Sequence, residues 1–337
     1  MMDHAISASP KCYAYYSDGI SWESSDWAKS MLLFFDGIAV LVPEREDEAF
    51  EHSDEAVIAG MRKAECLRVL RPTDLVDAQT AGDIASDVEK IVAALDWRGG
   101  EDRATDSLYV EKLGSHVAGR TVDRLASNLR DRGLAKGKGA ALEVDRRVIM
   151  LVLSVIAAHA QRRGQALGVQ LTPAHSTRSW AHRREFLGEW VRRDQYAHII
   201  NTDVETLRIN VGPIPVDELV SFREQNRSAL DQYRLAIALL AKDLAQLDLD
   251  LQRVARSERV ESLKEARREI ERSGREYLSN TGGLMCAVAG LVWTCIGHDI
   301  AGALLAGGVL AFDALGTSSQ KRLHDLSYVI SASQVFQ

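Results

Sequence analysis

Aromatic residues make up only 6% of this 337-residue chain, which also holds just four cysteines and six prolines. Cys12, Cys66, Cys286 and Cys295 form no CxxC pair and no evenly spaced framework, which excludes a disulfide scaffold. Two of the four sit in an apolar stretch, where a free thiol is a small hydrophobe. The opening residues, MMDHAISASPK, lack the basic start and apolar core of a secretory signal. Both features point to a reducing, cytoplasmic setting. A formal charge of −7 excludes a uniformly basic nucleic-acid coat, though a local basic patch is compatible with it. His159, His175 and His182 have no HExxH or Cys/His ligand spacing, and GLAKGKGA has no GxxxxGK[ST] arrangement. Serine and cysteine nucleophile motifs are also missing. No reaction announces itself, and the sequence leaves any cofactor unknown.

What the chain does have is alternation. KCYAYYS (Lys11–Ser17) reads as a strand. SWESSDWAKSMLLFF reads as a helix capped by Ser24 or Ser25, with Trp27, Met31, Phe34 and Phe35 at i, i+4, i+7 and i+8. Asp36-Gly37 turns the chain into IAVLVP, a buried strand ended by Pro43. Strand, helix, strand in so short a span predicts an α/β layer rather than an antiparallel meander. The pattern continues with an acidic loop, a helix over Ala56–Ala64, a strand in CLRVLRP and an amphipathic helix over Asp77–Trp97. WRGGEDRATD and Gly133–Ala140 read as loops. VIMLVLSVIAAHA (Val148–Ala160) is an apolar helix, too short to cross a bilayer, stopped by Arg162-Arg163-Gly164. GVQLTP is one more strand. Residues 1–214 are thus expected to form an α/β domain.

From Pro215 the period changes. Leu219, Phe222, Asn226, Leu230, Tyr233, Ile237, Leu240, Leu244 and Leu247 recur three or four apart, a heptad-like seam. Its phase slips near Arg256–Glu258, and a charged helix is expected from about Ser262 to Leu278. The two helices suggest an antiparallel coiled-coil arm over 215–280. Residues 281–316 then form a Gly-rich apolar stretch, followed by a tail over 317–337. Within that stretch Gly283, Gly290 and Gly297 share one helical stripe, which favours close helix pairing in water and in lipid alike. A single span would put His298-Asp299 near mid-bilayer, at a cost of roughly 2.5–3.5 kcal/mol for the Asp. An αα-hairpin with His298-Asp299 at its tip avoids that cost. Two readings stand, a buried or oligomeric hairpin and a membrane-inserted one.

The order YAYYSDGISWESSDWAKSMLLFFDGIAVLVPE, with Trp27, Phe35-Asp36 and Val42-Pro43 in place, resembles the opening of an uncharacterised bacterial domain-of-unknown-function family. LTP (Leu171–Pro173) and IPVDELVSFREQNR are similar to that family too. TPAHS departs from it, having no acidic residue after the strand. The resemblance implies an architecture and a bacterial origin, not a reaction.

Two groups of residues are candidate sites. Asp18 and Asp36 follow successive elements, and carboxylates at strand ends can hold divalent cations in nuclease-like domains. Arg178, Arg183, Arg184, Arg192 and Arg193, interleaved with Trp180 and Trp190, suit a nucleic acid or an acidic protein partner at 175–193. Ordinary helix caps, and a solvated face with core tryptophans, are the plain alternatives. The expectation is a non-catalytic sensor or scaffold that forms a homo-oligomer through its arm and hairpin. It would be cytoplasmic, with membrane contact through 281–316 when triggered, as in a stress or antiviral effector. The rival expectation is a metal-dependent nuclease or phosphodiesterase using Asp18 and Asp36.

Overall fold

The computed structural model describes residues 10–16, 22, 24–42, 50, 54–95, 97, 105–137, 139, 141–175, 195–280, 326 and 328–336. For residues 249, 266–267 and 269–280 it describes the backbone alone. The chain forms two compact units, Met1–His198 with Gly212–Val220, and Ile199–Val211 with Ser221–Gln337. The first combines sheet and helix, and the second is helical. The boundary expected at residue 214 falls within the 212–220 stretch of the first unit.

In the first unit β1 (Lys11–Tyr16), α1 (Ser25–Phe34), β2 (Gly37–Leu41), α2 (Glu55–Lys63) and β3 (Leu67–Leu70) alternate as the sequence predicts. Ser24, not Ser25, caps α1: its hydroxyl accepts from the amides of Asp26 at 3.1 Å and Trp27 at 3.4 Å. All five residues of β2 and the last five of β1 are buried, so neither strand alternates. That is the pattern of parallel strands covered on both faces. Gly37 is required by a close approach, because a Cβ there would stand 2.2 Å from the Cys66 carbonyl oxygen.

The chain continues through α3 (Pro72–Leu75), α4 (Ala78–Ala94), β4 (Thr105–Tyr109), a 3₁₀ turn over Val110–Leu113 and α5 (Ser115–Asp131). Next come β5 (Ala135–Lys136), β6 (Ala141–Asp145), α6 (Arg146–Ala166) and β7 (Val169–Ala174). β7 pairs with β1, giving a parallel sheet of order β3-β2-β1-β7. Pro173 lies opposite Tyr15 in this edge strand, where a missing N–H is tolerated. α4, α5 and α6 bury Ile84, Val88, Leu125, Leu129, Val152 and Ile156 in one core with Tyr13, Tyr15 and Leu171.

Two expectations need correction here. The Gly133–Ala140 loop contains β5, which pairs antiparallel with β6 in a second sheet of order β4-β6-β5. Gly137 and Gly139, at φ 79° and 110°, lie between these two paired strands in backbone conformations that glycine adopts without strain. Gly164 does not end its helix. α6 runs on to Ala166, and the left-handed residue just after it is Gly168, at φ 69°. Gly164 is small because Leu171 packs on it, its Cγ 2.9 Å from where a Cβ would be.

In the second unit lie residues of α7 (Gln195–Leu207) and α8 (Val216–Gln225), then α9 (Arg227–Gln246) and α10 (Leu249–Asn280). Helical residues return at 328–335. Leu230, Tyr233, Ile237 and Leu244 of the heptad-like seam are buried. The break expected at Arg256–Glu258 occurs instead at Leu247-Asp248. Asp248 starts α10, its carboxylate accepting from the Leu251 amide at 2.8 Å and its carbonyl from Gln252 at 2.9 Å. A good cap overrides the slip in apolar phase, and the helix runs through 256–258 unbroken.

Candidate functional site

The first unit's sheet reverses direction at β1. The chain steps from β1 to β2 to β3, then returns on the other side of β1 as β7. In open parallel sheets such a switch point leaves a crevice at the carboxyl ends of the strands, where ligands bind. Here Tyr16 and Ala174 are register partners at those ends. The segment carrying Asp18 therefore leaves β1 beside the point where the segment carrying Arg178, Trp180, Arg183, Arg184, Trp190, Arg192 and Arg193 leaves β7. Those residues lie outside the described ones, as does His182.

The described surroundings of this edge are aromatic. Tyr16 stands 5.0 Å from the Trp27 ring and 6.4 Å from Trp22, and Trp22 is 5.9 Å from Phe50. The Trp27 indole N–H donates to the carbonyl of buried His175 at 3.2 Å. The buried Trp22 indole N–H has no acceptor among the described residues. Ser24 occupies two first-turn amides of α1, so that helix start is no ready phosphate cradle. Tyr16 and Trp22 are buried against their neighbouring rings, so the described aromatics pack on one another at this edge.

Asp36 lies at the other end of the sheet, just before β2. Its carboxylate accepts from the Cys12 amide at 2.7 Å, and its own amide donates to the Cys12 carbonyl at 2.7 Å. Cys12 and Tyr16 are four residues apart along β1, about 13 Å at ~3.3 Å per residue. Asp36 is thus a clamp between the start of β1 and the end of α1. Among the described residues, no group of three or more His, Cys, Asp or Glu is arranged to hold a metal ion.

Three buried polar features have no signal in spacing. In the second unit Asp203 of α7 is fully buried, accepting from the Tyr233 hydroxyl at 2.7 Å and from the Arg259 Nε at 2.9 Å. Burial by itself would lower the Arg259 pKa, but the Asp203 charge and its hydrogen bonds raise it above the ordinary arginine value. In the first unit Lys112 is buried in the 3₁₀ turn with no ion-pair partner among the described residues, and desolvation brings its ammonium down to about 8. His159 is held below its ordinary value by burial and then by Arg162, with Asp87, at 3.3 Å, opposing in part. Only the lone Asp within YAHIINTDVETL hinted at any of these.

Gly283, Gly290, Gly297, His298 and Asp299 lie outside the described residues, but the flanks of their segment are informative. α10 precedes it. After it, Tyr328 packs against Phe222 and Tyr233 at ring distances of 5.7 and 6.1 Å, and Phe336 lies 5.0 Å from Phe222. The Ser333 hydroxyl donates to the Leu207 carbonyl at 3.2 Å, and the Asn210 amide to that of Phe336 at 2.6 Å. Both flanks belong to the helical unit. Among the described residues no helix is long and apolar enough to cross a membrane. The chain matches no family model, no curated protein and no solved structure.

Proposed function

We propose that this protein is a non-catalytic sensor or scaffold that self-associates through its helical unit and presents the 281–316 segment as a re-entrant apolar hairpin. The observation that supports this is the return of residues 326–336 to the unit that α10 belongs to. A single pass would leave Tyr328 and Phe336 across a bilayer from Phe222 and Tyr233, at the cost of their burial. A hairpin keeps both flanks on one side. Asp299 is midway between Gly282 and Gly316, where a tip would fall. Each arm of some 16 residues would measure about 24 Å as helix, short of the ~30 Å hydrocarbon core, which favours shallow or oligomeric insertion. A trigger bound at the carboxyl edge of the α/β unit, bacterial origin and a role in stress or antiviral defence complete this proposal.

The test is liposome flotation of the full chain beside a variant whose residues 281–316 are replaced by a Gly/Ser linker of equal length. Replacement, unlike truncation, keeps Tyr328 and Phe336. Flotation of the full chain alone supports the membrane element; if neither floats, lipid engagement is rejected.

The adjacent exits of β1 and β7 favour a second reading, a phosphodiesterase or nuclease. It would rest on Asp18 with the arginines of 175–193, Asp36 being engaged with Cys12. Metal-dependent cleavage lost in Asp18→Ala and kept in Asp36→Asn would establish it.

A further inference from the structure

Five large hydrophobic side chains are exposed among the described residues, and four flank the turn between α9 and α10: Leu235 (62%), Leu239 (55%), Leu251 (51%) and Val254 (54%). Leu235 and Leu239 are one helical turn apart on the side of α9 opposite Leu230, Tyr233, Ile237 and Leu244, which are buried. The heptad-like seam is thus already buried within the single chain. Any pairing of this helix with another molecule must use its other face.

We infer that this outer face of α9 is the self-association surface, and that it takes a second copy of the same helix, antiparallel about a two-fold axis level with Ile237. The inference rests on the proposed self-association and names its surface. In that arrangement Leu235 of each copy meets Leu239 of the other, placing four leucines at the centre. The flanking charges then match themselves. Lys242 comes within one residue's rise, about 1.5 Å, of Asp231 of the other copy and on the same side of the interface. Asp243 likewise meets Gln232, and both pairs occur twice. Asp231 is more than half exposed, and within its own helix it pairs with Arg227 at 3.4 Å and Arg234 at 3.7 Å. A parallel pairing would set Asp231 against Asp231 and Lys242 against Lys242. One helix face is a small interface by the standards of stable dimers, so the assembly should depend on concentration.

Sedimentation equilibrium of the full chain over a concentration series tests this. Wild type should dimerise. Leu235→Glu with Leu239→Glu should weaken the dimer at least about tenfold, as expected for a central apolar anchor, and Lys242→Glu should weaken it less. The register is read by crosslinking in a Cys286→Ala, Cys295→Ala background. A Leu235→Cys chain should form a disulfide with a Leu239→Cys chain, and neither should do so with itself. Failure of that mixed crosslink, or a dimer indifferent to the Leu235 and Leu239 changes, overturns this surface. If such a dimer is lost when 281–316 is replaced by the linker, self-association stands and its site is the hairpin. A wild-type monomer at all concentrations removes both the surface and the self-association reading.

Discussion

The Tyr233 hydroxyl donates to the Asp203 carboxylate at 2.7 Å, inside a cluster completed by Arg259. Three helices far apart in sequence are tied by this one buried acid. Replacing Asp203 by alanine strands a mostly buried guanidinium, and removing one partner of such a pair costs about 3–5 kcal/mol. Tyr233→Phe removes the hydroxyl that bonds both Asp203 and Arg259 and should cost about 1–3 kcal/mol. Asp203→Leu combined with Arg259→Met should recover most of the loss, since matched apolar replacement leaves no unpaired charge. Urea denaturation followed by circular dichroism gives all three values.

Lys112 should make the protein more stable in mild alkali. Its folded pKa, about 8, lies below the ordinary lysine value of 10.5. The unfolded chain therefore holds the extra proton between those two values, and stability rises with pH across that window. Below about 8 the cost of burying the charge, or of giving it up, is fully present. Lys112→Met should raise stability at neutral pH by roughly 1–3 kcal/mol and flatten the rise. Melting temperatures measured from pH 7 to 10 for both proteins would show a constant gap if the idea is wrong.

At Asp36 the prediction separates a clamp from a catalyst. Asp36→Ala leaves the buried Cys12 amide without its acceptor, at about 1–3 kcal/mol. Asp36→Asn keeps a carbonyl oxygen for that amide and should restore much of the stability. A metal ligand would not be rescued by asparagine in this way. Thermal unfolding of the two variants decides.

Gly37→Ala should be damaging despite its small size. The new methyl would press on the Cys66 carbonyl oxygen, 2.2 Å away, which is backbone of a neighbouring segment and cannot rotate aside. A loss of roughly 1–3 kcal/mol or more is expected, read as a drop in the denaturation midpoint. An unchanged midpoint would mean that the Gly37–Cys66 contact relaxes freely.

The sequence makes some elements legible and hides others for physical reasons. α1 and β2 stand out because Ser24, the Trp27–Phe35 spacing and Asp36-Gly37 are local signals. α5 is amphipathic with many charges, carries Gly119 and starts from Gly114 with no side-chain cap, so nothing marks its entry. β5 has two residues and exists only through β6, a partner that local pattern cannot reveal. The break at Asp248 depends on one carboxylate meeting one amide, while apolar phase alone pointed to Arg256. The seam residues were readable as an apolar stripe, but not which neighbour would cover them. Asp18 and the arginine segment leave from adjacent strand ends only because β7 inserts beside β1, a pairing across more than 150 residues.

The interleaving of the two units has a consequence for how the protein can vary. The chain passes from one unit to the other after His198, after Val211 and after Val220. Neither unit is a continuous stretch, so a single crossover between related genes cannot exchange one for another version without leaving a fragment of the old partner behind. Grafting the helical unit onto a different α/β unit would take three coordinated junctions. The α/β unit and the helical unit are therefore bound to diversify as a matched pair, and shuffling by simple fusion is closed to them.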